Sequence, residues 1–519
     1  MSNAGVFQLI TNDGRQDRMI MAVHMLLERI EEIKRVRVAN GMDPTPTIMD
    51  IEKTHIVFMN AYFKPFAPIG FEYFKVLPLG RPMLGSTVRF SLPQFGDFFF
   101  DIAVYVKIKA PTLTKGSVGA SPILPGGRWC NYPGERLFKK TKFMVNGNPL
   151  DEYTSEAYNV FRELYIGNTK RAGWNRLVGQ EILREGYLDY KYTGDPLDVA
   201  SQTPEGYRVN MNIANGYQTL KNPMDDLEVT VPLLFWFCTD PSMMMPSVSI
   251  PYGQRFIDID LATQPELVEV VSRGGNANPT MSTIVIEKME MYINNVFVMS
   301  EIHDIYIRRI GFQLVRMHLE DKFLLETGKG SKLAKNLKYP IEHIAVGCKT
   351  VANSTTMDKW QAFTGFSLVT QVQLTGVVGA QSTVDTTAAS IATPITVSYP
   401  NINVQLPVKL IDTLSVVAHN VPIYDDFGTT FYNSYIPTMY GAEKITPPSD
   451  GGLCFVNFCL KPGFYQPSGH FNFSRAREFY FNYTSSVINS STPTYMYLIA
   501  SALNFLLVNE GSALMRYST

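Results

Sequence analysis

The chain has 519 residues, which at about 150 residues per domain allows three to four domains, or two of the larger all-β type. Lys plus Arg number 46 and Asp plus Glu 47, a formal charge of −1, so no field steers the whole molecule onto nucleic acid and a basic packaging protein is argued against. Charged residues make up 18 % and aromatic residues 12 %, against about 25 % charged in an average soluble domain; a surface so poor in charge points to a subunit that buries extra area in an assembly.

Taken in chain order, the first element reads as a helix. Met19, Val23, Leu26, Ile30 and Ile33 recur at three- and four-residue spacing, Asp17 stands where a cap belongs, and Asn40-Gly41 marks the end. Glu28, Glu31, Glu32, Lys34 and Arg35 occupy the opposite face. Such a helix packs under its own domain or acts as a docking arm for a neighbour or a membrane-proximal layer. No signal peptide is visible, because the apolar stretch 19–27 contains His24 and runs into Glu28, Arg29 and Glu31. The longest uncharged stretch, 360–384, is broken by Gln361, Gln371, Gln373 and Gly376, so no membrane span is expected and the protein reads as soluble.

After Pro44 the pattern changes to short runs rich in Phe, Tyr, Val and Ile between Pro and Gly clusters, the mark of an all-β chain. Asn146-Gly147 after Phe143-Met144-Val145 predicts a hairpin, with Gly147 supplying the turn conformation, and Asn294-Asn295 predicts a second between Met291-Tyr292-Ile293 and Val296-Phe297-Val298. Asp151 to Leu164 reads as one helix on the β scaffold, with Tyr158, Phe161 and Leu164 on its apolar face and Thr154 or Ser155 as cap. Residues 255–261 alternate, so Ile257, Ile259 and Leu261 face a core while Asp258 and Asp260 face water or a partner. Segments 115–128, 190–218, 263–282 and 380–400 read as loops between strands. Strand signals resume at Phe312-Gln313-Leu314-Val315 and run to the end, where 495–508 and 513–517 flank a turn at Asn509-Glu510-Gly511. Short strands with long excursions predict two jelly rolls in tandem, although no repeat of fixed period links the halves.

The parts of an enzyme are missing. There is no Gly-x-Ser-x-Gly elbow and no His-Glu-x-x-His helix. A cupin-like metal site would want two histidines one residue apart; the nearest substitute is His318-x-Glu320 with His343 or His419, and a strand histidine beside a solvated glutamate is the commoner case. Gly328 to Lys332 fails as a phosphate loop, since Phe323 holds the opening glycine's place, and reads as a basic loop continuing to Lys335 and Lys338. Cys130, Cys238, Cys348, Cys454 and Cys459 are scattered and odd in number, which favours buried thiols over disulfides or zinc. Phe98-Phe99-Phe100 and Leu234-Phe235-Trp236-Phe237 lack interleaved Arg and Lys, so core packing or subunit contact explains them better than base stacking. No cofactor and no catalytic residue is expected.

The blocks YPGERL (132–137), FMVNGNPLDEY (143–153), LVGQE (177–181), PSVSIPYGQRFIDIDLA (246–262) and QPSGHFNFSR (466–475) resemble the major capsid proteins of African swine fever virus and its amoeba-infecting relatives. The last block is similar to one shared more broadly among capsid proteins of the nucleocytoplasmic large DNA viruses. This resemblance implies a major capsid protein with a double jelly roll fold, three chains forming a pseudo-hexagonal homotrimer that tiles an icosahedral shell, without direct nucleic-acid contact. It further implies neighbouring capsomers, penton and minor capsid proteins and a folding chaperone as partners, and assembly in host cytoplasm viral factories over an inner viral membrane that the chain does not span. The expected division is an N-terminal helical arm 1–42, a first jelly roll 43–306 and a second 307–519. Arg475 and Arg477 then stand to fix a loop or a contact between the jelly rolls, Gly511 to supply a turn, and the N-terminal helix to meet a minor capsid layer. The stretches after Ala110 and after Glu181 are shorter than in the swine virus protein, so a lower outer surface is expected. The readings from other classes are a glycan- or receptor-binding jelly-roll module and a transient membrane-shaping scaffold.

Overall fold

A computed structural model describes residues 23–45, 69–114, 125–181, 192–193, 203–204, 218, 220–250, 254–271, 279–299, 303–304, 311–372, 375–378, 395–398, 402–475, 478–509 and 512–517. Sixteen of its strands form two β-sandwiches. The first uses β1 (Gly70–Val76), β2 (Thr87–Ser91), β3 (Phe98–Lys109), β4 (Phe138–Val145), β5 (Asn148–Thr154), β6 (Leu227–Pro232), β7 (Arg255–Leu261) and β8 (Val285–Phe297). The second uses β9 (Gly311–Leu325), β10 (Lys329–Leu333), β11 (Pro340–Thr350), β12 (Thr413–Ala418), β13 (Val421–Gly428), β14 (Leu453–Asn457), β15 (Phe479–Thr484) and β16 (Thr494–Asn509).

In the first sandwich a sheet of order β1-β8-β3-β6 packs on one of order β2-β7-β4-β5; in the second, β9-β16-β11-β14 packs on β10-β15-β12-β13. Numbered from its own first strand, each half therefore reads 1-8-3-6 over 2-7-4-5, the jelly-roll order, with antiparallel neighbours throughout. The duplication that the sequence hides is plain in the strand order.

The cores follow from alternation. Ile102, Val104, Val106 and Ile108 of β3 point inward against Ile257, Ile259 and Leu261 of β7, each burial contributing about 2 kcal/mol. Asp258 and Asp260 point outward to Arg89 and Thr87 of β2. Phe99, Phe143, Trp236 and Phe237 meet edge to face in the same core, with Phe235 tilted on Phe143 and stacked on Phe237. The second core gathers Ile344, Val346, Leu414, Val416, Phe455, Phe481 and Leu498. All five cysteines are free.

At Asn146-Gly147 the predicted hairpin forms: both residues have positive φ, 52° and 80°, and join β4 to β5. The predicted hairpin at Asn294-Asn295 does not. Both residues lie inside β8 in continuous register with β1, their side chains buried, and the irregularity beside them falls on the other neighbour, β3, where Asp101 at φ 49° is the extra, bulged residue. The helix expected over 151–164 begins only at α3 (Ser155–Leu164), because Asp151 to Thr154 complete β5. Thr154 takes the cap position but sends its hydroxyl to Glu320. Lys329 to Leu333, read as a loop, is strand β10, paired with β15. All four expected loops also carry pairing: Gly126–Trp129 joins Val268–Val271, Tyr192–Thr193 joins Thr203–Pro204, and Ile395–Ser398 joins Thr375–Val378.

Helix α1 (Val23–Ala39) ends with Gly41 at φ 70°, as the sequence predicts. Ile33 is half-buried, while Val36 and Val38 are exposed. Met19 lies outside the described residues, and Val23, Leu26 and Ile30 are described in backbone only. No described helix is long and apolar enough to cross a membrane.

Candidate functional site

The most elaborate chemistry lies where the two sandwiches meet. Three elements of the first half build it: α2 (Pro133–Leu137), α3, and α4 (Asn168–Leu177). Val160 and Leu164 of α3 reach into the second core, while Val315, Trp360, Leu506 and Val508 of the second half join the first. Neither core is closed without the other.

A chain of buried charge runs through this contact. Glu135 of α2 accepts a hydrogen bond from Arg162 of α3, and a second from the Trp174 indole at 2.7 Å. The Arg162 guanidinium lies 3.7 Å from the Tyr132 ring centre. Burial acts against its charge, but Glu135, Tyr132 and Glu163 outweigh that and hold its pKa above the usual arginine value. Glu163 accepts from Arg171 at 2.9 Å, then from the Ser449 amide at 2.9 Å and hydroxyl at 2.6 Å, both in the second half. Burial opposes the Glu163 charge too, yet Arg162, Arg171 and Ser449 prevail and bring its pKa down to about 2. Next to it, Asp450 accepts from the Phe363 amide, and burial pushes its carboxyl up to about 6.

Two further contacts fix the halves. Lys349 of β11, fully buried, donates to Glu156 of α3 at 2.6 Å among the rings of Trp360, Phe363 and Tyr497. Burial lowers the Lys349 pKa against the pull of Glu156. At the facing edges of β5 and β9, each strand offers a carboxylate to the other's backbone. Asp151 accepts from the His318 amide at 2.9 Å, and Glu320 accepts from the Thr154 amide at 2.9 Å. Two sheet edges that would otherwise expose unpaired N–H groups are thereby closed. His318 and Glu320, the nearest substitute for a metal site, are thus committed to structure. No cluster of three His, Cys, Asp or Glu among the described residues is placed to hold a metal.

The blocks YPGERL and LVGQE fall in this junction. Gly134 donates its N–H to the Val178 carbonyl, and Gln180 accepts from the Tyr132 amide. Gly179, at φ 77°, packs so closely that a Cβ there would come within 2.8 Å of Leu227 and Val229. Of the residues singled out in the sequence, Gly147 lies in its turn, away from the junction. Arg475 is exposed at the end of the 3₁₀ turn Phe473–Arg475, with no hydrogen-bond or ion-pair partner among the described residues. Arg477 and Gly511 lie outside the described residues. The QPSG block is instead fixed by its serines: Ser468 accepts from the Lys461 amide and Ser474 from the Tyr339 amide. Sequence reasoning missed Glu135 of α2, Arg162 and Glu163 of α3, and Lys349 of β11; for the α3 pair the signal is charge on a helix whose apolar Tyr158, Phe161 and Leu164 lie around its axis.

Elsewhere, apolar side chains face outward on two edge strands. β1 exposes Phe71 and Tyr73, and β13 exposes Val421 and Phe427. After β13, the turn Phe431–Tyr435 and the helix Ile436–Tyr440 bury Tyr432 and Ile436 but expose Tyr435, Met439 and Tyr440.

A family model described as the major capsid protein N-terminus matches residues 67–299. The major capsid protein of African swine fever virus (isolate Pig/Kenya/KEN-50/1950) is 33 % identical over 652 aligned positions that cover 100 % of both chains. That of Paramecium bursaria Chlorella virus 1 is 21 % identical, covering 81 % of this chain and 80 % of its own. Among solved structures, the Faustovirus major capsid protein superposes with a TM-score of 0.74 at 34 % identity, covering 96 % of this chain and 100 % of its own. PBCV-1 VP54, at 17 % identity over 89 % of this chain and 100 % of its own, shares the fold with a TM-score of 0.59. Two jelly rolls whose cores each close with residues of the other, and full-length identity of a third to a viral shell protein, lead to one statement: this chain belongs to the major capsid protein family of large double-stranded DNA viruses, a structural and not an enzymatic family whose place is the capsid shell of the virion.

Proposed function

We propose that three copies of this chain form a pseudo-hexagonal capsomer that tiles the icosahedral shell. One observation carries the reading: the junction inside the chain has an exposed twin. Inside, the fifth strand of the first sandwich and the helix after it, β5 and α3, meet the first strand of the second sandwich, β9. The corresponding pieces of the other pairing are β13 with residues 431–440, and β1. Both are exposed and apolar, with Met439 62 % and Tyr73 58 % accessible. Repeating the internal contact between copies joins β13 of one chain to β1 of the next, and three such steps close a ring of six sandwiches. Large apolar faces rimmed by polar residues are what such permanent contacts require.

The division into an arm 1–42, a first jelly roll 43–306 and a second 307–519 belongs to this reading. In it the N-terminal helix, with Val36 and Val38 exposed, faces minor capsid proteins on the inner side, above the membrane. Neighbouring capsomers, penton proteins and a folding chaperone complete the set of partners in cytoplasmic factories. The alignment spans 652 positions against 519 residues, which supports a lower outer surface than that of the swine virus protein. Light scattering with negative-stain imaging tests the proposal: the expected mass is three times the 58.4 kDa of the chain, with a hexagonal outline. A stable folded monomer at micromolar concentration overturns it.

A further inference from the structure

Charge is spread unevenly over this chain, whose formal total is −1. In the second sandwich every strand neighbour is antiparallel, so the start of β9, the connections 334–339, 419–420 and 458–478, and the segment 512–517 all lie towards one end. Contacts tie them together: the Tyr339 amide donates to the Ser474 hydroxyl, the His419 amide to the Glu478 carbonyl, and the Tyr517 ring stacks on Tyr339 with centres 6.2 Å apart. Lys335, Lys338, Lys461, Arg475 and Arg516 are exposed there, and none has an ion-pair partner among the described residues. Against these five cations, Glu478 is the one exposed carboxylate among the described residues of those segments. The connections leaving the opposite ends of the same strands hold, among their described residues, five carboxylates and three lysines. A molecule with no net field therefore carries a local positive one at a single end.

Apolar side chains share that end. Phe312, Leu460, Tyr465, Leu514 and Tyr517 are exposed, Leu460 to 71 %. The cations stand on three segments of the chain, interleaved with these aromatic and aliphatic tips, the pairing that suits a layer of anionic headgroups with hydrocarbon beneath. Single-stranded nucleic acid fits less well, because it needs free ring faces. Phe312 already stacks on Phe505 at 4.6 Å, with the Arg516 guanidinium 5.7 Å from its ring, and Tyr517 is stacked on Tyr339.

We infer that this end of the second sandwich docks on the surface of an anionic phospholipid bilayer, its lysines and arginines against the headgroups and its exposed apolar tips at the headgroup boundary, with nothing crossing the membrane. A single chain carries the whole of this end, so the inference does not rest on the trimer.

Flotation of the purified full-length protein with vesicles of phosphatidylcholine containing about 30 % phosphatidylserine tests it, against vesicles of phosphatidylcholine alone. Binding to the anionic vesicles only is expected, weakening as salt rises from about 0.05 to 0.5 M. Lys335→Gln with Lys338→Gln should weaken it about 25-fold, about fivefold for each charge removed. Both side chains are exposed, so the fold is kept, and an unchanged circular dichroism spectrum verifies that. Lys359→Gln with Lys409→Gln, beyond the strands' opposite ends, should leave binding as it was. Absence of flotation with the anionic vesicles overturns the inference, as does equal flotation with phosphatidylcholine alone or equal binding by the Lys335 and Lys338 double variant. Capture on immobilised poly-glutamate without binding to the vesicles overturns it in favour of an acidic protein partner.

Discussion

The helix that follows the fifth strand is wrapped on nearly every side in one sandwich and half exposed in the other. In the first, α3 buries Ala157, Tyr158, Val160 and Leu164 together with Arg162 and Glu163, because the second sandwich lies across it. In the second, residues 431–440 bury Tyr432 and Ile436 but leave Tyr435, Met439 and Tyr440 in solvent. The same position in a duplicated fold has been finished in two ways. Buried ion pairs, costly to desolvate but specific in geometry, lock the contact made inside the chain; apolar side chains serve the contact still to be made.

That difference can be broken deliberately, and the largest effect is expected at Arg162. Arg162→Met strands Glu135 and Glu163 without their shared cation, and a loss of about 3–5 kcal/mol is expected, read from the urea midpoint. Glu156→Gln leaves the buried Lys349 without its carboxylate and should cost about 3 kcal/mol. Adding Lys349→Met to Glu156→Leu should recover most of that loss, since an apolar pair replaces the ion pair. On the exposed side, Tyr435→Ser with Met439→Ser should leave the circular dichroism spectrum unchanged while weakening self-association by about 2 kcal/mol for each side chain, read as mass against concentration.

Acid separates the two sides as well. The Glu163 carboxyl has a folded pKa of about 2 against an ordinary 4.5, so the stability it contributes is fully present above pH 4.5 and is lost as the pH falls towards 2. The destabilisation caused by Glu163→Gln should therefore shrink as the pH falls below 4.5. Denaturation midpoints taken across that range for both proteins measure it.

The smallest effects lie in the matching hairpins. The first sandwich turns with Asn146-Gly147, the second with His419-Asn420, all four residues at positive φ. Gly147→Ala should destabilise by about 1 kcal/mol, whereas Asn420→Gly should stabilise by a few tenths. Thermal midpoints would distinguish the two signs.

Local pattern was enough wherever one face of one strand decided the outcome. Ile257, Ile259 and Leu261 alternate and are buried, and Asn146-Gly147 turns because nothing else claims it. Asn294-Asn295 has similar turn chemistry, but β1 and β3 pair with it on both sides and the ladder wins. The junction was far less legible. Glu135, Arg162, Glu163 and Lys349 look like surface residues in any short window; they are buried because partners 27 to 287 residues away close over them. Nor does periodicity reveal the second jelly roll as a copy of the first, since the repeat survives in strand order and not in side chains.

Hydroxyl-radical footprinting of the oligomer tests most directly whether the open contact copies the closed one. The account predicts that Phe71 and Tyr73 of β1, Phe427 of β13, and Tyr435 and Met439 just beyond β13 are protected together in the trimer and reactive together in the diluted monomer. A trimer in which Tyr73 and Met439 stay as reactive as in the monomer would contradict it.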